Sequence, residues 1–218
     1  MLPPFVNTQL LDEALTHRSV TNEASHAISN ERLEFLGDAV LELATTQFLY
    51  QRFPDAAEGL LTSYRSSLVR RSQLSQVAAI LGVGEFLKLS KGEESMGGRS
   101  NPALLENAFE AIVGALYLDQ GFDACYRFLA EHLFSQVDEV IANNLHKDYK
   151  STLQETVQAE GKPTPVYTTL SASGPDHDRI FEIAVNVAGQ EYGVGKGKSK
   201  QEASQMAAKA ALEKIAKS

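Results

Sequence analysis

The length, composition and charge of the chain restrict what it can be. Its 218 residues predict one or two domains, and 43% hydrophobic and 22% charged residues are ordinary values for a globular protein. No apolar run reaches the roughly 18 residues of a membrane span, and the N-terminus lacks a basic region followed by an apolar core. We therefore expect neither a membrane segment nor a signal peptide. A single cysteine, Cys125, cannot form an internal disulfide, which favours a cytoplasmic protein.

The net charge of −8 argues at first against a nucleic-acid partner, because phosphate binding depends on Lys and Arg. The charges are unevenly distributed, however. Residues 1–147 carry 11 basic and 19 acidic side chains, whereas residues 148–218 carry nine of each. From residue 195 onward six lysines are opposed only by Glu202 and Glu213. The C-terminal part is locally basic, so the overall charge does not exclude a nucleic-acid partner.

The first 147 residues show helical patterns and no strand pattern. A short helix ends in Leu15-Thr16-His17-Arg18-Ser19, where the lone His17 is interpreted as structural, and residues 20–29 read as a loop. Asn30 predicts the N-cap of a helix that ends near Arg52. Residues 58–82 predict one long helix ending at Gly82, the glycine-rich residues 91–99 a mobile surface loop, and residues 102–121 and 122–141 two further helices.

The helix after Asn30 carries an unusual row of acids. At about 100° per residue, Glu31, Glu34 and Asp38 fall within roughly 60° of one another on an otherwise apolar helix. Such a row is unfavourable unless water, Arg side chains or a divalent metal ion lies against it, and oxygen ligands suit a metal. By spacing alone, a solvated helix face is the commoner outcome, and Glu42 on the same stripe shows how easily such a row arises.

The exact residues of this helix favour a metal site over a solvated face. The nine residues N-E-R-L-E-F-L-G-D, from Asn30 to Asp38, resemble the signature helix of the ribonuclease III family at every position, including the mid-helix Gly37. Residues 105–114 are similar to the family's second catalytic segment, usually D-x-x-E, with Asn107 where the family has Asp. The resemblance implies a metal site of Glu34, Asp38, Asn107 and Glu110, in which Asp38 and Glu110 are the catalytic residues. Asn107 keeps a carbonyl oxygen but loses one charge, so we expect weaker metal binding there.

The same resemblance places two further acids, Glu31 and Glu58, along the substrate groove. For Glu58 the alternative is a first-turn acid that the helix dipole favours. The family works as a homodimer with its signature helices against each other. This implies a cross-subunit contact for Phe35 and a close helix approach at Gly37, and ordinary core packing is the alternative for both.

From residue 149 the pattern changes to αβββα. Helices are predicted over 149–159 and 200–215 and strands over 166–170, 180–187 and 190–195, with turns at 174–176 and Gly189. This order resembles the double-stranded RNA-binding domain, which reads an A-form duplex by shape. The resemblance implies minor-groove contacts by Gln154, Glu155 and His177, and phosphate contacts by Lys198 and Lys200. Gln201 stands where the family usually has a second lysine. For the lysines alone, a basic solvated helix is the alternative.

The predicted fold is mainly α, with an all-helical endonuclease domain (1–144), a linker (145–148) and a small α+β double-stranded RNA-binding domain (149–218). The resemblance implies a homodimeric enzyme that hydrolyses double-stranded RNA with Mg²⁺, which Mn²⁺ can replace, giving 5′-phosphate and 3′-hydroxyl ends with short 3′ overhangs. Precursors of ribosomal RNA and other structured RNAs are the expected substrates. One alternative is a duplex-binding regulator impaired in cleavage, which Asn107 favours; another is an assembly protein with a solvated acidic face.

Overall fold

The computed structural model describes residues 2–22, 27–142, 149–175 and 179–216, and the predicted linker lies outside them. The chain separates into two compact units, Met1–His146 and Lys147–Ser218. Among the described residues, the first unit contains helices and one isolated bridge between Thr16 and Lys88, and the second contains a three-stranded sheet with two helices. The predicted fold class is therefore confirmed.

The first unit is built from α-helices joined by short 3₁₀ turns. The turns are Arg18–Asn22, Gly98–Ser100 and Phe134–Gln136. The α-helices are α1 (Thr8–Ala14), α2 (Glu31–Arg52), α3 (Glu58–Leu68), α4 (Arg71–Ile80), α5 (Val83–Phe86), α6 (Lys91–Ser95), α7 (Pro102–Gln120), α8 (Phe122–His132) and α9 (Val137–Ala142).

Helices α2 and α7 form the centre of this unit. The α7 helix starts as predicted: the Asn101 Oδ1 accepts a hydrogen bond from the Ala103 amide at 2.9 Å, and Pro102 fills the first turn, where no amide hydrogen is needed. Gly121 ends it with a positive φ of 79°. Between these ends, Phe109 and Ile112 are fully buried beside Leu41 of α2, so the two helices share one apolar core.

Two glycines allow α2 and α7 to touch backbone to backbone. A methyl group on Gly37 would lie 1.8 Å from the carbonyl oxygen of Glu110, and one on Gly114 would lie 2.2 Å from the carbonyl oxygen of Leu33. Both distances are far below contact distance, so only glycine fits at either position. Gly37 is buried against α7 of its own chain, as the core-packing alternative predicts.

Residues 58–82 form two helices where one was predicted. The chain becomes extended at Arg70, with φ −68° and ψ 151°. The break has a packing reason. Tyr64 and Leu68 of α3 face a small core shared with α9, whereas Leu74 and Val77 of α4 face the main core, and one straight helix could not serve both directions. Helix α4 ends beside Gly82, whose φ of 72° fits the predicted cap.

The glycine-rich segment 91–99, predicted as a mobile loop, is helical and anchored. The Ser90 Oγ accepts a hydrogen bond from the Glu93 amide at 3.2 Å and so begins α6. The Arg99 guanidinium donates to the backbone carbonyls of Gly84, Glu85 and Leu87 at 2.9, 3.1 and 2.9 Å. These long-range bonds hold the segment against α5, and glycine content alone could not reveal them.

Two smaller predictions also need correction. Residues 122–141 are interrupted at the buried Leu133, which separates α8 from a 3₁₀ turn and α9. Asn30 stands at the start of α2 but does not cap it through its side chain. Asn30 is buried, and its Nδ2 instead donates to the carbonyl oxygen of Ala14 at 3.2 Å, which ties α2 to the end of α1.

The second unit has the predicted αβββα order. Its elements are α10 (Tyr149–Ala159), β1 (Val166–Ser173), β2 (Ile180–Val187), β3 (Gln190–Gly197) and α11 (Lys200–Ile215). The strands pair antiparallel in the order β1-β2-β3. The β2–β3 turn contains Ala188 and Gly189, both with positive φ, as a tight hairpin requires. The predicted turn at 174–176 includes Asp176, which lies outside the described residues.

Helix α11 lies directly on β3. Methyl groups on Gly193, Gly195 and Gly197 would come within 2.7, 2.1 and 2.6 Å of backbone atoms of Ala207 or Ala203. The facing side of α11 carries small buried residues, including Ala211. The glycines of the strand and the alanines of the helix therefore bring the two backbones into contact, while Leu153 and Val157 of α10 complete the core.

Candidate acidic site and duplex-binding face

The contact between α2 and α7 brings the predicted acids of two helices together. Glu34 and Asp38 lie one turn apart on α2, on either side of Gly37, whose missing side chain leaves room for the backbone of Glu110. Asn107 lies one turn before Glu110 on α7, and both are half-buried. The crossing at Gly37 thus fixes the separation between the two pairs.

The acids at this crossing interact electrostatically. Burial, followed by the negative charges of Asp38, Glu106 and Glu34, raises the pKa of Glu110 to about 8, while Arg71 acts in the opposite direction. The pKa of Glu34 is also raised, first by burial and then by neighbouring acids that include Glu106 and Asp38. The cluster therefore carries more negative charge than its surroundings balance.

Glu42, on the same stripe of α2, is a balanced acid, which here means one whose negative charge is neutralised by an ion pair. Its Oε2 forms an ion pair with the Arg65 Nε at 2.9 Å, and the same guanidinium donates to the Thr46 Oγ1 at 3.0 Å. The solvated-face interpretation suits Glu42, which links α2 to α3. It does not suit Glu34 and Glu110, whose ionised forms are disfavoured by burial and by neighbouring acids.

The two predicted groove acids differ in their surroundings. Glu31 is exposed, pairs with Arg18 at 3.5 Å, accepts a hydrogen bond from the Ser29 Oγ at 3.0 Å, and raises the pKa of Glu34. Glu58 is the first residue of α3 and accepts from the Thr62 Oγ1 at 3.0 Å. In the described part of the chain, no hydrogen bond or ion pair joins Glu58 to the cluster.

One acid of the site was missed by the sequence analysis. Glu106 is largely buried, with 14% of its side chain exposed, and it forms an ion pair with the Arg71 Nε. It precedes Asn107 and lies one turn before Glu110, so an i, i+4 pair of glutamates on α7 was the available signal. Arg71 could not be found from the sequence, because it is 35 residues distant and belongs to α4.

The donor set suits a divalent cation. Within the described residues, no three His, Cys, Asp or Glu side chains stand in an arrangement that would hold a metal ion. The backbones of α2 and α7 nevertheless touch at Gly37, and the carboxylates of Glu34, Asp38 and Glu110 repel one another there. A divalent cation would remove that repulsion, and carboxylate and amide oxygens are the ligands that hard cations prefer. The donor chemistry of these residues therefore fits a hard divalent metal ion.

Two other reactive side chains do not form a nucleophilic centre. Cys125 is buried, which raises the pKa of its thiol to about 12 and leaves it inert. The His17 Nδ1 accepts a hydrogen bond from the Ser19 amide at 3.2 Å, and burial lowers the pKa of this histidine. His17 therefore serves the local turn, in agreement with its structural interpretation.

The predicted duplex-binding residues of the second unit lie at its surface. Gln154 and Glu155 are exposed on α10, and Lys198, Lys200 and Gln201 are exposed at the start of α11. The Ser199 Oγ accepts a hydrogen bond from the Glu202 amide at 3.1 Å, and the Glu202 Oε2 accepts from the Lys198 amide at 2.7 Å. This cap fixes the backbone that presents the lysines. His177 lies outside the described residues.

A surface cavity joins the two helices of this face. It has a volume of about 320 Å³ and is lined by Lys150, Ser151, Gln154, Pro165, Tyr167, Gln201 and Gln205. Gln154 and Gln201, predicted from different helices, thus share one depression. The Gln205 Oε1 accepts a hydrogen bond from the Lys150 amide at 3.2 Å, which ties the start of α10 to α11.

One exposed strip of α2 carries three large apolar side chains. Phe35 is 81% exposed, Leu43 58% and Tyr50 72%, and at about 100° per residue these three fall within roughly 80° of one another. Phe35 is therefore not a core residue, in contrast to Gly37. In the part of the chain that the structure describes, no helix is long and apolar enough to span a membrane.

Comparisons with known proteins agree with this arrangement. A family profile described as Ribonuclease-III-like matches residues 7–137, and one described as a double-stranded RNA binding motif matches residues 149–215. The chain is 49% identical over 213 residues to the Ribonuclease 3 of Geobacillus kaustophilus, covering 97% of this chain and 86% of that protein. The Ribonuclease 3 of Bdellovibrio bacteriovorus is 46% identical over 211 residues, covering 96% and 90%.

A solved structure supports the same conclusion for the first unit. The nuclease domain of ribonuclease III from Campylobacter jejuni matches with a TM-score of 0.55 and 39% identity, covering 59% of this chain and 87% of that one. The profiles and the relatives together span nearly the whole sequence. The chain therefore belongs to the ribonuclease III family, divalent-metal endoribonucleases that act on double-stranded RNA.

Proposed function

We propose that this protein cleaves double-stranded RNA by Mg²⁺-dependent hydrolysis, leaving 5′-phosphate and 3′-hydroxyl ends with short 3′ overhangs. The observation that carries the proposal is the cluster of mutually repelling carboxylates at the contact of α2 and α7, of which Glu34 and Glu110 are half-buried. Glu34, Asp38 and Glu110 would hold the metal through carboxylate oxygens, and Asn107 through its amide oxygen. Mn²⁺, with similar ligand preferences, would replace Mg²⁺.

The bound metal would supply a water of lowered pKa and neutralise charge on the phosphate. The chain's own residues would support this chemistry in three further ways. The carboxyl group of Glu110, whose pKa is about 8 without a metal, would give up its proton when the site binds a divalent cation. The backbone contact at Gly37 keeps Asp38 and Glu110 at a fixed separation. Glu31 lies beside Glu34 and would extend the groove, as would Glu58.

The second unit would deliver the substrate. Lys198 and Lys200 precede and begin α11, so their ammonium groups and the positive end of the helix dipole would contact phosphates. Gln154 and Glu155 would contact the minor groove of an A-form duplex, as His177 would from the β1–β2 connection. Gln201 lines the same cavity as Gln154 and would contact the RNA without a charge. A cytoplasmic location and processing of ribosomal RNA precursors complete the proposal.

The decisive experiment measures cleavage of a labelled RNA duplex with and without Mg²⁺. We expect metal-dependent cutting that Glu110→Gln abolishes and that Glu42→Gln, the same change at the balanced acid of α2, leaves intact. The Asn107→Asp variant should bind metal more tightly than the unmodified chain. Duplex binding without cutting by the unmodified chain would refute the proposed cleavage.

A second candidate function is a duplex-binding regulator that is impaired in cleavage. The neutral Asn107 beside Glu110 favours it, because the site then has one charge fewer than the family pattern. In that case the unmodified chain would bind the duplex without cutting it, and Asn107→Asp would restore cleavage. The same assay therefore distinguishes the two functions.

The enzyme is proposed to act as a homodimer through the exposed apolar face of α2. Phe35 is the most exposed of the three apolar residues of this face. The solved Campylobacter nuclease domain has a region involved in dimer formation of that protein. Phe35→Glu should give a monomer in sedimentation equilibrium. Ile80→Glu, a matched change at a 72% exposed apolar residue of α4, should leave the dimer intact. A dimer that survives Phe35→Glu would contradict this face as the interface.

A further inference from the structure

An ion pair lies at the edge of the acidic site, where neither partner belongs to the predicted ligand set. Arg71, the first residue of α4, donates from its Nε to the Oε2 of Glu106 on α7. The Arg71 side chain is 63% exposed, whereas that of Glu106 is only 14% exposed. The ion pair therefore joins a largely buried carboxylate to a guanidinium that remains in contact with solvent.

Glu106 acts on the site without being one of its ligands. It lies one helical turn before Glu110, and its charge disfavours the ionised forms of both Glu110 and Glu34. Arg71 acts on Glu110 in the opposite sense. A fixed charge influences cation binding through space, so the carboxylate does not need to touch the metal to strengthen its binding.

The charges at the site explain why this pair matters here. Once Glu110 has lost its proton, Glu34, Asp38 and Glu110 provide three negative charges, and Asn107 provides an oxygen but no charge. Glu106, adjacent to Asn107 in sequence, provides a fourth negative charge close by. Resting on the proposed function, we propose that Glu106 replaces electrostatically the charge that Asn107 lacks, and that Arg71 limits this effect by pairing with Glu106.

This proposal predicts opposite effects for the two partners of one ion pair. Loss of the Glu106 charge removes an attraction for the cation and leaves Arg71 as an unbalanced positive charge, so metal binding weakens. Loss of the Arg71 charge frees the full charge of Glu106, so metal binding strengthens. A pair with a purely structural role would behave differently, because removal of either partner would break the same contact between α4 and α7.

The test is the affinity of the full-length protein for Mn²⁺ in the absence of RNA, measured by titration calorimetry and by the EPR signal of free Mn²⁺. We expect Glu106→Gln to weaken binding by about tenfold and Arg71→Gln to strengthen it by about threefold, the scale of one charge acting near a dication at a partly exposed site. Asn107→Asp in the Glu106→Gln background should restore the affinity. Glu42→Gln, which breaks a comparable Arg–Glu pair elsewhere on α2, should change nothing.

Two results would overturn the proposal: equal weakening by Glu106→Gln and Arg71→Gln, or no recovery with Asn107→Asp. The Glu110→Gln variant separates this failure from that of the proposed function. If Glu110→Gln loses Mn²⁺ binding while Glu106→Gln does not, the metal site stands and the role of Glu106 is refuted. If Glu110→Gln binds Mn²⁺ normally, the proposed metal site itself is wrong. Circular dichroism verifies that each variant is folded.

Discussion

The contact between α2 and α7 leads to a sharp prediction for Gly37→Ala. The added methyl would lie 1.8 Å from the carbonyl oxygen of Glu110 and 2.8 Å from the amide nitrogen of Gly114. Ordinary contacts begin at 3.4 Å, so the helices would have to separate by about 1.5 Å. The atoms that clash are backbone atoms of α7, which cannot rotate away as a side chain could.

The magnitude follows from two opposing effects. Overpacking of this kind costs about 1–3 kcal/mol, and a rigid backbone neighbour places the cost at the upper end. Alanine is the better helix former by about 1 kcal/mol. The net expectation is a loss of about 2 kcal/mol in the free energy of unfolding. The separation also moves Asp38 away from Glu110, so Mn²⁺ binding should weaken more than the loss of stability alone explains.

The measurement is urea unfolding followed by far-UV circular dichroism, because the chain has no tryptophan, together with Mn²⁺ titration of the folded variant. The matched control is Gly59→Ala on α3, where an added methyl meets nothing within 4 Å and should be neutral or slightly stabilising. An unchanged unfolding midpoint and an unchanged Mn²⁺ affinity for Gly37→Ala would refute the argument from backbone contact.

Three further predictions concern pH, capping and duplex binding. In the folded, metal-free chain the pKa of Glu110 is about 8, against an ordinary value of 4.5, so the folded state binds a proton more tightly than the unfolded state. The free energy of unfolding should therefore fall as pH rises between these two values. The Glu110→Gln variant should remove this part of the pH dependence in urea titrations. Asn101→Ala should cost about 1 kcal/mol by removing the cap of α7, and an unchanged urea midpoint would contradict that role. Lys198→Ala with Lys200→Ala should reduce the salt dependence of duplex binding by about one unit of slope per lysine, whereas Lys162→Ala, at a lysine paired with Glu160, should not; a loss of affinity independent of salt would argue against phosphate contacts.

Local signals predicted most elements well, because their causes lie within a few residues. Helix α7 is defined by Asn101 and Pro102 at its start and Gly121 at its end, and the structure agrees. The αβββα order follows from alternating apolar residues and from turn residues such as Gly189. The acids Glu34, Asp38 and Glu110 were found through their motif, and α2 and α7 do bring them to one crossing.

The misses have causes that lie far away in sequence. The segment 91–99 is held by Arg99, which reaches backbone carbonyls 12 to 15 residues earlier. The Asn30 side chain does not cap its helix because it donates to the carbonyl oxygen of Ala14, 16 residues away. For Gly37 the sequence left a subunit contact and core packing open, because a mid-helix glycine shows that a close approach is needed but not which helix approaches. Glu106 gains its importance only from burial and from Arg71, which no local pattern reveals.

The direct backbone contact between α11 and β3 fixes the position of this helix within the duplex-binding unit. Side chains normally form a layer that can repack by fractions of an ångström, but Gly193, Gly195 and Gly197 remove that layer, and peptide groups meet directly. The distance from the sheet to the start of α11, where Lys200 lies, is thus set by direct contact of the two backbones rather than by side-chain packing. Helix α11 therefore cannot slide along the sheet to fit a duplex whose groove spacing departs from the A form. The tolerance of the unit for irregular RNA must therefore come from the RNA or from the loops.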